Sequence, residues 1–325
     1  MKTLIKKNLH YDHTGEEASE YFIHEAFTFH EGHRYGCLGG YNPTPSPGAS
    51  RNFIQAGSID TLSSATDFGD LQQARHDYES WGNRIRIVTT DDGSSETAEF
   101  CNWSTFGTAV DWGEMQHGDG FRSPMGDNVR TWLARHDGGG GDSSIAVANI
   151  MNGSDADFGE VASGTHYAGG GTGTNGYRGV YLGYATPTAA SDTIEYLTFA
   201  SSGSGIDFGE LVAVSGLGAH GAALTDGSRA MAVGDYRSDN AGSDMIQYVS
   251  VGTLGNASDY GEYHIKTALC GGASFSGRGM IAGGYQTTDG VIGEVGYFNI
   301  GVGGNGLDFG ELDQTVYTPG TKSGG

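Results

Sequence analysis

Short apolar runs separated by polar turns recur along the chain, and residues 219–263 show the pattern most clearly. There, a run of small residues precedes Thr-Asp-Gly-Ser at 225–228, and Asp-Gly is a strong signal for a β-hairpin turn. Two apolar runs follow, and the second, 244–251, is apolar on both faces of the pleat, with Ile246 on one face and Val249 on the other. We therefore predict successive antiparallel strands, of which the third is buried on both sides.

The predicted fourth strand carries an Asp-aromatic-Gly-acid motif that occurs six times in the chain. The copies begin at Asp67-Phe68, Asp111-Trp112, Asp157-Phe158, Asp207-Phe208, Asp259-Tyr260 and Asp308-Phe309. Successive copies are 44, 46, 50, 52 and 49 residues apart. A repeat of about 50 residues is typical of propeller blades. The sequence therefore predicts an all-β fold, a six-bladed β-propeller with four antiparallel strands per blade.

The repeat divides the chain into six blades between two tails. The predicted blades cover residues 22–71, 72–115, 116–161, 162–211, 212–263 and 264–312, with an N-terminal tail at 1–21 and a C-terminal tail at 313–325. The first unit begins with an inner strand near Phe22, and the last ends at Leu312 with its outer strand. We therefore expect the ring to close between whole blades, with no strand exchanged between the ends.

We interpret the repeated motif as structural. Each aromatic side chain is expected to fill the gap between neighbouring blades, each glycine to admit close backbone approach, and each aspartate to hold the preceding turn. Asp-Phe-Gly also occurs in protein kinases, but six copies and the lack of a His-Arg-Asp loop argue against a kinase. The chain has no Asp-x-Asp-x-Asp-Gly calcium loop. We predict no metal and no cofactor.

Histidines offer the other candidate metal ligands. His30 and His33 do not match His-Glu-x-x-His and fall in a predicted hairpin turn, where their spacing does not align the two rings. His10 and His13 flank an aspartate in the N-terminal tail and are interpreted as solvated. No serine lies in a nucleophile elbow and no nucleophile–base pair is recognisable, so we assign no catalytic residue.

The chain is strongly acidic, with 17 Lys and Arg against 39 Asp and Glu and a net charge of −22. Such a surface repels nucleic acid and anionic membranes, and neither is expected as a partner. Cys37, Cys101 and Cys270 form no disulfide or zinc pattern and are expected to be reduced and buried. We recognise no secretion signal, and no apolar run approaches the roughly 20 residues of a membrane span.

The loops after the second strand of each blade are the best binding candidates, because they vary while the strands repeat. They cover residues 41–51, 91–96, 136–143, 185–191, 237–243 and 286–292. Four tyrosines at their bases are suited to stacking on sugar rings or protein partners, namely Tyr41, Tyr184, Tyr236 and Tyr285. The alternative is that these tyrosines plug the channel mouth or pack between blades, and the sequence does not separate the two.

The second strands, with the pattern Arg-x-x-x-x-Gly-Gly-Tyr, resemble kelch repeats, whose second strand ends in a diglycine. The diglycine is complete at Gly39-Gly40 and Gly283-Gly284 and partial at Gly183 and Gly234, while the usual kelch tryptophan is missing from its place. The acidic Asp-Phe-Gly-Glu-Leu version more specifically resembles repeats in structural proteins of tailed phages, especially marine phages that infect cyanobacteria. The resemblance spans about residues 22–312.

This resemblance implies a non-enzymatic virion protein of the phage tail or its fibres, made in the host cytoplasm and acting in protein docking and host recognition. The implied partners are other virion proteins, with a host cell-surface glycan or protein as a further candidate. Two alternatives stay open because propellers host unrelated activities. One is a lectin-like propeller acting without a virion, and the other is a hydrolase or lyase acting on polysaccharide from one face.

Overall fold

The structure is a computed structural model that describes residues 34–42, 49–61, 63–75, 79–90, 97–105, 107–115, 121–135, 144–160, 172–185, 190–201, 203–212, 221–234, 242–286, 288–316 and 320–323. Within these residues the chain is all-β. Six four-stranded antiparallel sheets are arranged as a six-bladed β-propeller, which confirms the predicted fold class. No helix in this part of the chain has the length and apolar character needed to cross a membrane.

The sheets follow one another along the chain, and the strands of each sheet succeed one another from the axis outwards. The first contains β26 (Gly320–Ser323), β1 (Arg34–Asn42), β2 (Ala49–Ser58) and β3 (Thr66–Arg75). The second contains β4 (Glu79–Gly82), β5 (Arg86–Thr90), β6 (Thr97–Asn102) and β7 (Val110–Glu114). The third contains β8 (Phe121–Gly126), β9 (Arg130–Arg135), β10 (Ser144–Asn149) and β11 (Asp155–Glu160).

The remaining three sheets repeat this arrangement. The fourth contains β12 (Thr172–Thr174), β13 (Arg178–Ala185), β14 (Ala190–Thr198) and β15 (Ile206–Glu210). The fifth contains β16 (Ala222–Thr225), β17 (Arg229–Val233), β18 (Ser243–Ser250) and β19 (Ser258–Thr267). The sixth contains β20 (Gly271–Phe275), β21 (Arg278–Ala282), β24 (Glu294–Asn299) and β25 (Leu307–Glu311), and its loop forms a hairpin of β22 (Tyr285–Gln286) and β23 (Gly290–Val291).

The innermost strands contact one another in a closed circle, from β26 through β4, β8, β12, β16 and β20 back to β26. They contain small residues where they crowd together. A Cβ atom added to Gly173 of β12 would lie 2.1 Å from the Cβ of Ala230 in the next blade, and one added to Gly272 of β20 would lie 2.8 Å from the carbonyl oxygen of Ala223. Glycine accounts for 58 of the 325 residues, and part of this high content is required by the convergence of six sheets.

The ring closes through a strand from the C-terminal part of the sequence. β26 pairs antiparallel with β1, so that Tyr35 lies opposite Ser323 and Leu38 opposite Gly320. The expectation of closure between whole blades is therefore wrong, because residues 320–323 complete the first sheet. Residues 22–33, where the inner strand of that blade was expected, lie outside the described part of the chain.

The apolar core is divided into six clusters, one at each seam between neighbouring blades. In the first seam, Phe68 of the first blade packs in one cluster with Trp103 of the second. A third strand lies between two seams, so Ile246 of β18 belongs to the cluster shared with the sixth blade and Val249 to the cluster shared with the fourth. This position explains why the strand is apolar on both faces.

Candidate functional site

Because neighbouring strands are antiparallel, the connections between them lie at two opposite faces of the ring. The turns from first to second strand and from third to fourth strand define one face, which we call the turn face. The loops from second to third strand and the connections between blades define the other, which we call the loop face. The seams between blades join the two faces and determine how rigidly each is held.

In every blade the motif aromatic is the extra residue of a β-bulge. In the fourth blade Ile194 lies opposite Gly209 and Glu195 opposite Asp207, so Phe208 between them has no cross-strand partner. The other five blades show the same interruption. A bulge redirects the extra side chain, and Phe208 lies, 4% exposed, in the cluster between the fourth and fifth blades.

The motif glycine allows the next blade to approach. Gly209 has a φ of +152°, and a Cβ atom on it would lie 2.5 Å from the carbonyl oxygen of Gly255 in the next blade. The amide of Gly255 donates a hydrogen bond of 3.0 Å to the carbonyl of Phe208, and at the closing seam the amide of Ala65 donates one of 2.8 Å to Glu311. The backbones of adjacent blades are thus bonded directly where any side chain would intrude.

The motif aspartates are all exposed, at Asp67, Asp111, Asp157, Asp207, Asp259 and Asp308. In the second blade Asp111 Oδ1 accepts a hydrogen bond of 2.9 Å from the amide of Gly113, and in the fifth Asp259 Oδ1 accepts one of 3.1 Å from Gly261. In these two blades the aspartate therefore holds the bulge that follows it, where the sequence interpretation had expected a bond to the preceding turn.

An arginine at the start of the second strand links several seams, and the sequence interpretation gave it no role. Arg229 Nη1 donates a hydrogen bond of 2.6 Å to the carbonyl of Ile300 in the next blade, and its guanidinium lies 5.1 Å from the ring centroid of Tyr248. Arg34, Arg178 and Arg278 each donate a hydrogen bond to the equivalent carbonyl of the blade that follows their own. The sequence did contain a signal for this role, because arginine is the first residue of the repeated Arg-x-x-x-x-Gly-Gly-Tyr pattern.

At both seams of the third blade, tryptophans take the place of the arginine that bonds to the next blade elsewhere. Trp112 Nε1 donates a hydrogen bond of 2.9 Å to the carbonyl of Ile150, which is the equivalent position. At the next seam Trp132 stacks on Phe199, while Arg130 forms an ion pair of 2.8 Å within its own blade. The weaker repeat pattern of the second and third units therefore accompanies a different chemistry at their seams.

Buried polar side chains of the third strands hold the chain as it leaves the motif of the preceding blade. The side chain of Gln55 accepts a hydrogen bond of 2.8 Å from the amide of Gln314. Glu99 accepts one of 2.7 Å from the amide of Gln72, and Gln247 accepts one of 2.8 Å from the amide of Val212. The three acceptors are at most 5% exposed. Buried polar groups need such partners, and these side chains serve the seams.

The buried thiols and phenols have raised pKa values. Burial raises the pKa of Cys37 and Cys101 to about 12 and that of Cys270 to about 11. Burial also raises the pKa of Tyr181 and Tyr263 well above the ordinary value. All three cysteines are free and buried, as the sequence predicted. A thiol that stays protonated at neutral pH is a poor nucleophile.

Within the described residues, no group of three or more His, Cys, Asp or Glu side chains could hold a metal ion. His264 Nε2 lies 2.8 Å from Glu294 Oε1 across the seam between the fifth and sixth blades. The histidine pairs considered from the sequence, His10 with His13 and His30 with His33, lie outside the described residues.

The predicted binding loops of the loop face lie largely outside the described residues, and so does Tyr236. Tyr184 is described only by its backbone, at the end of β13. Tyr41 and Tyr285 are partly buried, on the adjacent first and sixth blades. Tyr285 exchanges backbone hydrogen bonds of 2.8 and 3.1 Å with Ala268, which attaches the loop of the sixth blade to the connection from the fifth.

The turn face carries all nine large apolar side chains that are exposed among the described residues. Three precede the second-strand arginine, Ile85, Val129 and Tyr177; three lie in turns between third and fourth strands, Met151, Leu254 and Val302; and three precede the motif aspartate, Val110, Ile206 and Leu307. Tyr177 and Val302 are each 81% exposed. Isolated apolar side chains are ordinary on a surface, but nine of them on the described part of one face make that face a candidate interaction surface.

Exposed carboxylates border this apolar surface. The motif aspartates follow the turns directly, and Asp60 and Asp226 lie within turns, where both are exposed. The exposed arginines described at this face are Arg84, in the second blade, and Arg130, in the third, which is paired with Asp127. The described part of the turn face is therefore both apolar and acidic. Its exposed cations are confined to two blades, because the arginines that bond across the other seams are partly buried.

Comparison with known proteins adds no family to this description. Neither a scan against models of protein families nor a search of curated proteins finds a match to the chain. The class of protein is defined by the structure as a six-bladed β-propeller. The two faces and the repeat itself are therefore the basis for inferring its function.

Proposed function

We propose that this chain is a non-enzymatic docking propeller and a structural protein of a tailed-phage particle, associated with the tail or its fibres. The observation that carries the docking role is the presence of nine exposed apolar side chains on the described part of the turn face. The virion context is supported by the resemblance of the acidic Asp-Phe-Gly-Glu-Leu repeats to repeats in structural proteins of tailed phages. The diglycines support the resemblance to kelch-type propellers.

The seam chemistry supports a rigid scaffold. Arg229, Gln247 and Trp112 each bond to a backbone group of the neighbouring blade, so these polar side chains already have structural partners. The three thiols are held protonated by burial. A ring whose blades are joined in this way presents its faces with little rearrangement, which favours binding because less freedom is lost on association.

The proposed partners are other virion proteins of the tail or its fibres, with a host cell-surface glycan or protein as a second class of ligand. The net charge of −22 disfavours nucleic acid and anionic membranes, because both repel an acidic surface. The proposed location is the assembled particle, reached from the host cytoplasm.

Particle purification tests the virion role. Particles from a producing host would be banded in a density gradient, washed in high salt, and analysed by quantitative mass spectrometry. We expect the chain in the particle band at a constant ratio to the major tail proteins. Recovery in the soluble lysate alone would contradict the proposal. Cleavage of host polysaccharide by the purified protein would instead support the hydrolase or lyase alternative.

A lectin-like activity is the second candidate, and it is favoured by Tyr41 and Tyr285 on adjacent blades of the loop face. Aromatic rings commonly stack on sugars. A glycan array probed with the purified chain would test this candidate, with Tyr285→Ala as the site variant and Tyr177→Ala, on the opposite face, as the control. Binding that is lost only in the loop-face variant would support it.

A further inference from the structure

The described chain begins at the turn face. Arg34 lies opposite Ser58, the last residue of β2 before the turn to β3. The Arg34 guanidinium donates a hydrogen bond of 3.0 Å to the carbonyl of Trp103, where the third strand of the second blade has ended. Residues 1–33 are therefore attached to the ring at the apolar and acidic face.

The first nine residues of the sequence have the complementary character. They read Met-Lys-Thr-Leu-Ile-Lys-Lys-Asn-Leu, with three lysines, three large aliphatic side chains and no acidic residue. The lysines of the whole chain are Lys2, Lys6, Lys7, Lys266 and Lys322, so three of the five fall in this segment of an otherwise acidic protein. Residues 16–31 differ, because they contain five glutamates that the acidic face would repel.

The fifth and sixth blades offer the best match on the turn face. Leu254 is 59% exposed on the fifth blade, while Val302 and Leu307 are 81% and 54% exposed on the sixth. Asp259 and Asp308 are exposed beside them. The exposed arginines described at this face, on the second and third blades, would repel a lysine-rich segment there. The sixth blade also adjoins the first, where the chain enters the ring.

We propose that residues 1–9 bind in cis to the turn face of the fifth and sixth blades. The lysines pair with Asp259 and Asp308, and Leu4 and Ile5 cover the apolar side chains of these blades. The chain's own N-terminal segment is then the first occupant of this face, and any partner that uses the same blades must displace it. This inference does not depend on the virion role.

The connection is long enough for this arrangement. Residues 10–33 could span at most about 80 Å when extended. Four strands about 4.8 Å apart place the rim of a propeller roughly 20–25 Å from its axis, so every blade lies within reach. A tether of this kind gives an effective concentration on the order of millimolar. A weak contact of a few aliphatic side chains and two ion pairs is therefore sufficient.

Carbodiimide cross-linking of the intact chain tests the proposal, because it joins a lysine amine to a carboxylate only when the two touch. At low salt we expect peptide mapping by mass spectrometry to find links from Lys6 or Lys7 to Asp259 or Asp308. These links are expected to fall at least about fivefold in 0.5 M salt, where the Debye length is only a few ångströms. Coupling of an added amine, glycine methyl ester, to the exposed carboxylate of Glu262 provides the control for reagent activity.

Three results would overturn the proposal. The first is a lack of preference between the two faces. It would appear as links from Lys6 and Lys7 that reach aspartates exposed towards the loop face as often as those of the turn face. The loop-face aspartates are Asp192, Asp289 and Asp313. Links between chains, identified by mixing isotopically labelled and unlabelled protein, would place the segment on a second copy. Absence of any link from Lys6 or Lys7, while the carbodiimide couples the added amine to Glu262, would show that the segment does not bind.

Trypsin provides a second readout, since cleavage after Lys6 and Lys7 requires the segment to leave the surface. The rate of cleavage follows the undocked fraction. We expect the Leu254→Ser/Val302→Ser double variant to be cleaved about tenfold faster than the wild type, while Ile85→Ser/Val129→Ser, on the second and third blades, leaves the rate unchanged. All four positions are about half exposed or more, so the ring should stay folded. Equal rates in all three proteins would contradict the assignment to these blades.

Discussion

Trp132 stacks face to face on Phe199 across the seam between the third and fourth blades, with ring centroids 3.8 Å apart and planes 4° from parallel. Phe158 contacts the same tryptophan edge-on at 5.8 Å. Trp132 is fully buried. This seam is therefore held by an aromatic stack at the level where Arg178 and Arg229 bond across their own seams.

Replacing Trp132 by alanine should lower the free energy of unfolding by about 3–5 kcal/mol, because a large aromatic leaves a cavity. Trp132→Phe keeps a ring on Phe199 and should lose less. Urea unfolding followed by circular dichroism measures both. Tyr177→Ala, at a residue that is 81% exposed, is the control and should stay within about 0.5 kcal/mol of wild type. A Trp132→Ala variant as stable as this control would show that the stack has no stabilising role.

The bulged aromatic of the fourth blade provides a second test of the seams. Phe208→Ala should destabilise by about 3–5 kcal/mol, because the ring is 4% exposed in the cluster between two blades. Ile206→Ala, two residues earlier and 53% exposed, is the matched control and should have little effect. Thermal unfolding of the two variants side by side makes the comparison. An unchanged melting temperature for Phe208→Ala would reject the inter-blade role.

The motif glycine should not tolerate a side chain. Gly209→Ala combines a φ of +152° with a Cβ atom 2.5 Å from the carbonyl oxygen of Gly255, and should destabilise by about 2–5 kcal/mol. Gly301→Ala introduces the same methyl group where nothing lies within 4 Å and should be nearly neutral. Denaturant midpoints measure the difference. Equal midpoints for Gly209→Ala and Gly301→Ala would mean that the two blades can move apart at this contact without loss of stability.

Alkaline pH should destabilise the protein through its thiols. Burial raises the pKa of Cys37 and Cys101 to about 12 and of Cys270 to about 11, so the unfolded chain loses these protons first. Their contribution is fully present below pH ~8.5, the pKa of an unperturbed thiol, and is lost as the pH rises towards 11–12.

The expected loss is at most about 1.4 kcal/mol per pH unit for each thiol. Urea unfolding between pH 7 and pH 10 measures it, a range in which an ordinary tyrosine is at most about half ionised. The Cys101→Ala variant should be less stable at pH 7 but should show a shallower decline with pH. A stability that is flat from pH 8 to pH 10 would contradict the burial of the thiols.

The blades could be predicted from the sequence because their requirements are strict and repeated. A third strand such as β18 lies between two seams and must be apolar on both faces, and a bulge such as that at Phe208 needs glycine immediately after it. Six repetitions of these requirements leave a pattern that a single sequence reveals. The resemblance to kelch repeats and the phage context stay predictions.

The closing strand and the turn face could not be predicted in the same way. β26 is four residues long and reads Gly-Thr-Lys-Ser, which has neither an apolar alternation nor a motif. The exposure of Tyr177 or Val302 depends on where each turn lies in the ring. The sequence shows that an apolar residue falls in a turn but does not show whether its side chain is exposed. The sequence interpretation favoured the variable loops for binding, whereas the exposed apolar side chains of the described residues lie on the turn face.

The pairing of Gly320–Ser323 with β1 has a consequence for biosynthesis. Arg34–Asn42 are among the first described residues to leave the ribosome, but the closing strand begins at Gly320, which is 320 − 42 = 278 residues later. During that interval the nascent chain exposes an open sheet edge, which is prone to pairing with other chains. Completion of the ring thus waits for synthesis of the closing strand, and a chain released before that point would keep an unpaired edge on its first sheet.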